Sequence, residues 1–137
     1  MNTKSIIAGV LAGVTMFFLG WLIYGILFAD TMASYAGSAK DAMRPMAEIN
    51  FPFLAVANLV GGLFLAYVFS NWAKIFTFSG GVKAGAIIAL FTVISFDFGM
   101  YATTNLMMLP GIGLDIVLNT VISAVAGGVA GWWLGRP

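Results

Sequence analysis

The residue pattern predicts an all-α fold: an integral membrane four-helix up-down bundle with N and C termini cytoplasmic. Three observations carry that expectation. Hydrophobic residues make up 61% of the 137 positions and charged residues 8%, against roughly 45–50% and 25% in soluble domains. The apolar residues fall into four runs, each close to or above the roughly 20 residues a helix needs to cross the hydrocarbon core. The charges are divided unevenly between the two ends of a four-span threading. Lys4, Lys74, Lys83 and Arg136 fall on one side, and Lys40 and Arg44 share the other with Asp30, Asp41, Glu48 and Asp115. In a bacterial-type inner membrane, the excess of cations places the first side in the cytoplasm.

The first span is expected over about 5–28, with no ionisable side chain except Tyr24. Lys4 ahead of an apolar run also fits a secretory leader, but leader cores run about 7–15 residues and end at small residues. This run is longer and ends in Phe28-Ala29-Asp30, so an uncleaved helix is expected. Residues 29–50 form the long outer loop. Ser38 and Pro45 there suggest one or two short helices at the membrane interface. The second span, about 51–72, opens with Pro52, whose missing N–H is tolerated in a first turn. The third runs over about 81–108 and contains Asp97, Pro110-Gly111 is read as the break, and the fourth runs over about 114–134. Connections this short make neighbouring helices antiparallel. The single membrane domain covers 1–137.

Composition also excludes chemistry. A formal net charge of +1 leaves no basic surface to neutralise many phosphates, so no nucleic-acid partner is expected. Cysteine and histidine are both absent, which removes thiolate catalysis, imidazole ligands and histidine general bases. No cofactor is expected, and the expected partners are membrane lipid, further copies of the chain, or subunits of a membrane complex. The eight methionines, among them Met43, Met46, Met100, Met107 and Met108, raise a copper(I) reading because thioethers suit that soft ion. Methionine is also an ordinary filler of apolar interiors. Met43-Arg44-Pro45-Met46 is the single Met-x-x-Met instance, with no histidine or cysteine beside it, so no metal site is expected.

Two stripes of small residues stand out. On the first span Gly9, Gly13, Met16, Gly20 and Tyr24 return to one face. On the fourth, Asn119, Ser123, Ala126, Gly127 and Ala130 do the same, and Gly127, Gly131 and Gly135 form a drifting zipper. Small residues let helices approach closely in lipid, where no hydrophobic drive brings them together. Packing within the monomer is the expected role, ahead of a seam between copies. On the second span Asn58 and Gly62 share a face.

Asp97 is the most informative residue, because an acid inside a span is expensive and faces the bundle interior or a cavity. Tyr101 lies one turn beyond it and Asn105 two turns beyond, with Thr104 near the same face. Tyr24, Asn58 and Asn119 fall in the outer halves of their own helices. An outward-facing polar pocket with Asp97 at its floor is therefore expected. Two readings stay open: a neutral acid bonding helices together, or a proton-linked or cation-binding carboxyl.

The stretches GWLIYGILF at 20–28 and YATTNLMMLPGIGLD at 101–115 resemble the small four-helix bacterial membrane proteins grouped as families of unknown function. That resemblance implies the four-span bundle and carries no site residues. Length and span count are also similar to the small multidrug-resistance exporters, which work as dimers around an essential membrane glutamate in the first helix. Here the first helix has no acid, and Asp97 lies in the third. The expected function is a non-enzymatic integral membrane protein, self-associating or an accessory subunit of a larger complex. The alternative is a small proton- or cation-linked transporter or channel using Asp97. An intramembrane enzyme would have only Asp97, Asp115 and polar amides to work with, and no nucleophile–base spacing supports it.

Overall fold

A computed structural model describes all 137 residues. Five α-helices account for most of the chain: α1 (Thr3–Leu22), α2 (Ala29–Ser34), α3 (Phe51–Tyr67), α4 (Phe78–Thr103) and α5 (Leu109–Leu134). The first and third continue as π-turns over Ile23–Leu27 and Val68–Ala73. Counting those turns, four helices are long and apolar enough to cross a membrane: Thr3–Leu27, Phe51–Ala73, Phe78–Thr103 and Leu109–Leu134. There are no β-strands.

Local chemistry explains most of the boundaries. The Asn2 side chain accepts from the Ser5 N–H at 2.9 Å and opens α1. Asn50 does the same for Phe53 at the start of α3, with Pro52 in the first turn. Thr77 accepts from the Gly80 N–H at 3.1 Å ahead of α4. Each side-chain oxygen satisfies an N–H that has no partner within its own helix. The π-turn after α3 stops at Lys74, which adopts the left-handed conformation at φ 53°. The Lys74 ammonium reaches back and donates to the Ser70 carbonyl at 3.1 Å, as cations near helix C-termini do.

The break between the last two long helices differs from the expected one. α4 ends at Thr103 instead of 108, and α5 starts at Leu109 instead of 114. Pro110 sits within the first turn of α5 and begins the helix instead of interrupting it. The physical reason is that a first-turn residue has no helical partner for its N–H, so proline removes nothing there. The connection is therefore residues 104–108, and α5 extends N-terminally past 114, so that Asp115 lies inside it.

α1 packs on α3, α4 packs on α5, and α1 lies against α5, which joins the two pairs. The seams are backbone-close. A methyl group added at Gly9 would meet the Leu63 backbone, one at Gly13 the backbone of Leu59 and Asn58, and one at Gly62 the backbone of Gly9 and Gly13. In the other pair Gly81 meets Gly127, Gly85 meets Ser123, and Gly131 meets Thr77. These glycines are where two helix backbones touch without intervening side chains. The core around them is built from Ala8, Ala12, Leu65, Ala66, Phe69, Ala126, Ala130 and Leu134. Gly20 differs from its stripe-mates, with nothing within 4 Å of an added methyl.

Large apolar side chains cover the outside of the bundle, including Phe53 at 75% exposure, Phe91 at 73% and Trp72 at 70%. Such a surface is a liability in water and the ordinary state of a helix facing lipid. The two ends of the chain meet, since the Lys4 ammonium donates to the Arg136 carbonyl. Beside that contact the Arg136 guanidinium lies over Trp132 and Trp133, 4.9 and 5.0 Å from the ring centroids.

At the opposite end, residues 29–50 contain α2 and one-turn 3₁₀ segments at Lys40–Ala42 and Met46–Glu48. This region is fastened to the 104–108 connection by an isolated antiparallel bridge between Ala36 and Met107. The Gly37 N–H donates to Leu106, Ala39 to Asn105, and Met108 to Tyr35, all at 2.8–2.9 Å. Gly37 is required there, because any side chain would overlap the Asn105 carbonyl.

Candidate functional site

Asp115 and Asn119 lie four residues apart on α5, one turn apart on the same face. Tyr24 reaches them from the π-turn at the end of α1. The Tyr24 hydroxyl donates to Asp115 Oδ1 at 2.7 Å. Asn119 Nδ2 donates to Asp115 Oδ2 at 2.9 Å and to the Tyr24 oxygen at 2.7 Å. The three side chains form a closed ring of hydrogen bonds that occupies both oxygens of the Asp115 carboxyl. A π-turn widens the helix by one residue, and here it carries the Tyr24 residue that completes the ring.

Asp97 approaches the ring from α4. It is 7% exposed and lines a cavity of about 210 Å³ together with Asp115, Tyr101 and Thr104. Its Oδ2 is buried and has no hydrogen-bond partner. No salt bridge to a lysine or arginine is formed anywhere in the chain within hydrogen-bonding range of either acid. Asp97 is buried and Asp115 beside it in the cavity is half-buried. A carboxyl buried without a cationic partner, as Asp97 is, needs compensation from a proton that it holds or from a bound cation, because an uncompensated buried charge is costly.

Of the residues expected to converge on Asp97, Tyr24 and Asn119 converge on Asp115 instead, and Tyr101 shares the Asp97 cavity while remaining half exposed. Asn58 stands apart. Its side-chain amide donates to the Leu54 carbonyl of its own helix at 2.8 Å, and it lines a separate apolar groove of about 330 Å³ with Tyr24, Asn119, Gly20 and Trp21. Asn105 lies past the end of α4, exposed, with its backbone carbonyl engaged by Ala39. The residue missing from the expected pocket is Asp115. Its spacing to Asn119 was visible, but starting the fourth helix at 114 left it at the very end of a span, outside any interior.

A third cavity, of about 660 Å³, lies between the 29–50 loop and the helix ends. Tyr24 and Asp115 line it from the bundle side, and Lys40, Asp41 and Arg44 from the loop side. All five acids of the chain, Asp30, Asp41, Glu48, Asp97 and Asp115, belong to this end of the molecule or to the loop over it, with only two of the six bases. No three His, Cys, Asp or Glu side chains converge as a metal-binding group. Comparison with protein-family models, curated proteins and solved structures finds no match to the chain.

Proposed function

We propose that the protein is a non-enzymatic, multi-pass membrane protein that takes up a proton or small cation at the Asp97–Asp115 carboxyl pair and serves as a small transporter or channel. The observation that carries this reading is the placement of two acids on one cavity, the buried Asp97 with an unpartnered oxygen and neither acid in a salt bridge. An intramembrane acid marks an ion or proton pathway more often than it serves packing alone. The acidic outer end supports the same reading, since negative potential at a cleft raises the local concentration of cations.

In this reading the four spans thread antiparallel as an up-down bundle in the inner membrane of a cell. Both termini, with Lys4, Lys74, Lys83 and Arg136, are cytoplasmic, and the 29–50 loop faces outward. The Tyr24–Asp115–Asn119 ring holds one carboxyl in place, and Asp97 is the member free to bind and release. The test is flux in vesicles containing the purified protein. Proton or cation movement should fall to background in Asp97→Asn and be reduced in Asp115→Asn, and undiminished flux in Asp97→Asn refutes the assignment.

A second reading, self-association or membership of a larger membrane complex, is favoured by Gly20. Gly9 and Gly13 are covered by α3, whereas Gly20 opens onto the apolar groove between Phe17, Trp21 and Leu54. A foreign helix could approach there as closely as α3 does elsewhere. A native gel of gently solubilised membranes with mass identification tests it: a strictly monomeric species without companions rules it out.

A further inference from the structure

Methionines gather at the acidic end in a way that their spacing along the chain conceals. Met43 and Met107 line both the Asp97–Asp115 cavity and the larger cavity beneath the outer loop. Met100 adds to the first cavity, and Met32 and Met46 add to the second. Five of the eight methionines therefore surround two adjoining spaces, although they come from α2, the loop, α4 and the 104–108 connection.

Filling a core does not account for them, because Met43 is 53% exposed and Met46 47% exposed. Met107 is held in place by its bridge to Ala36, and its side chain lies against Gly111 at the start of α5. Thioether sulfur is neutral and soft, so it favours soft monovalent metal ions over protons, zinc or alkaline-earth cations. With no cysteine or histidine in the chain, no stronger donor competes for such an ion.

We propose that these cavities form a thioether site for a soft monovalent cation of the Cu(I) or Ag(I) class, with Met43 and Met107 as its central ligands. The site extends the carboxyl reading, which it needs only for charge balance: Asp97 and Asp115 line the smaller cavity with Met43, Met100 and Met107 and offset the bound positive charge. The ion binds without change of oxidation state.

The experiment titrates the full-length protein in detergent with Ag(I) alone, followed by calorimetry and by NMR of ¹³C-methyl-labelled methionines. The Met43, Met100 and Met107 methyl signals should shift saturably, while Met16, in the core beside α3, stays still. Met43→Leu combined with Met107→Leu should weaken binding roughly tenfold or more. Leucine nearly conserves methionine volume and leaves packing intact. If the pair does not fold, Met43→Leu alone, at an exposed loop position, must still weaken binding. Uniform shifts of every methionine, or unchanged affinity in these variants, overturn the site. Failure of the two readings is separable. Asp97-dependent flux in a protein that binds no Ag(I) removes the thioether site and keeps the carboxyl reading. Methionine-dependent Ag(I) binding without Asp97-dependent flux does the reverse.

Discussion

α4 and α5 meet in two different ways along their lengths. Near the chain termini their backbones touch through Gly81, Gly85, Gly127 and Gly131, with no space for a methyl group. Near the 29–50 loop the same two helices carry Asp97 and Asp115 and leave a cavity between them. One end is a backbone seam, and the other is a largely apolar cavity that holds two acids and is lined in part by the loop. The difference teaches that the small residues and the acids of this chain have separate jobs: glycines set the approach of the helices, and that approach presents the carboxyl pair.

The largest expected effect tests the closed end. Gly127→Ala places a methyl against the Gly81 carbonyl, and overpacking of this kind should cost about 3 kcal/mol. Thermal unfolding in detergent measures it, and a variant as stable as the parent would show that the seam is not tight. Gly37→Ala should come next at the open end, where it collides with Asn105 and unfastens the loop. A loss of about 1–2 kcal/mol with faster amide exchange confined to residues 35–39 and 105–108 is expected.

The hydrogen-bonded ring is predicted to contribute less than the seam. Tyr24→Phe removes the donor to Asp115 and the acceptor for Asn119, and should cost roughly 1 kcal/mol, since polar contacts between membrane helices average below that per bond. Asp97→Asn sharpens the contrast, because it should leave thermal stability unchanged or slightly raised while abolishing flux. A stability loss larger than that of Tyr24→Phe would make Asp97 a structural bond instead of the exchanging member. The smallest effect belongs to Gly20→Ala, which meets nothing and should change stability by no more than about 0.5–1 kcal/mol, in the stabilising direction expected for alanine in a helix.

The four spans were legible in the sequence because composition and run length act locally, and a chain with 61% hydrophobic and 8% charged residues has few other ways to bury itself. Helix caps at Asn50 and Thr77, and the close packing at Gly9, Gly13, Gly127 and Gly131, follow from equally local chemistry. Partner choice was not legible. Gly81 and Gly85 acquire their role only when α5 is laid against them, and Gly20 shares a stripe with Gly9 and Gly13 yet lies beyond the reach of α3.

The site shows the same division. Asp97 announces itself as an acid in an apolar run, so the sequence alone determined that one carboxyl has to be accommodated inside the bundle. Its neighbour Asp115, the ring with Tyr24 and Asn119, and the gathering of methionines from four separate stretches were decided only by the tertiary structure. Those contacts join residues as far apart as 95 positions along the chain. Helical periodicity reports which side of a helix a residue occupies, and it cannot report which other helix will lie on that side.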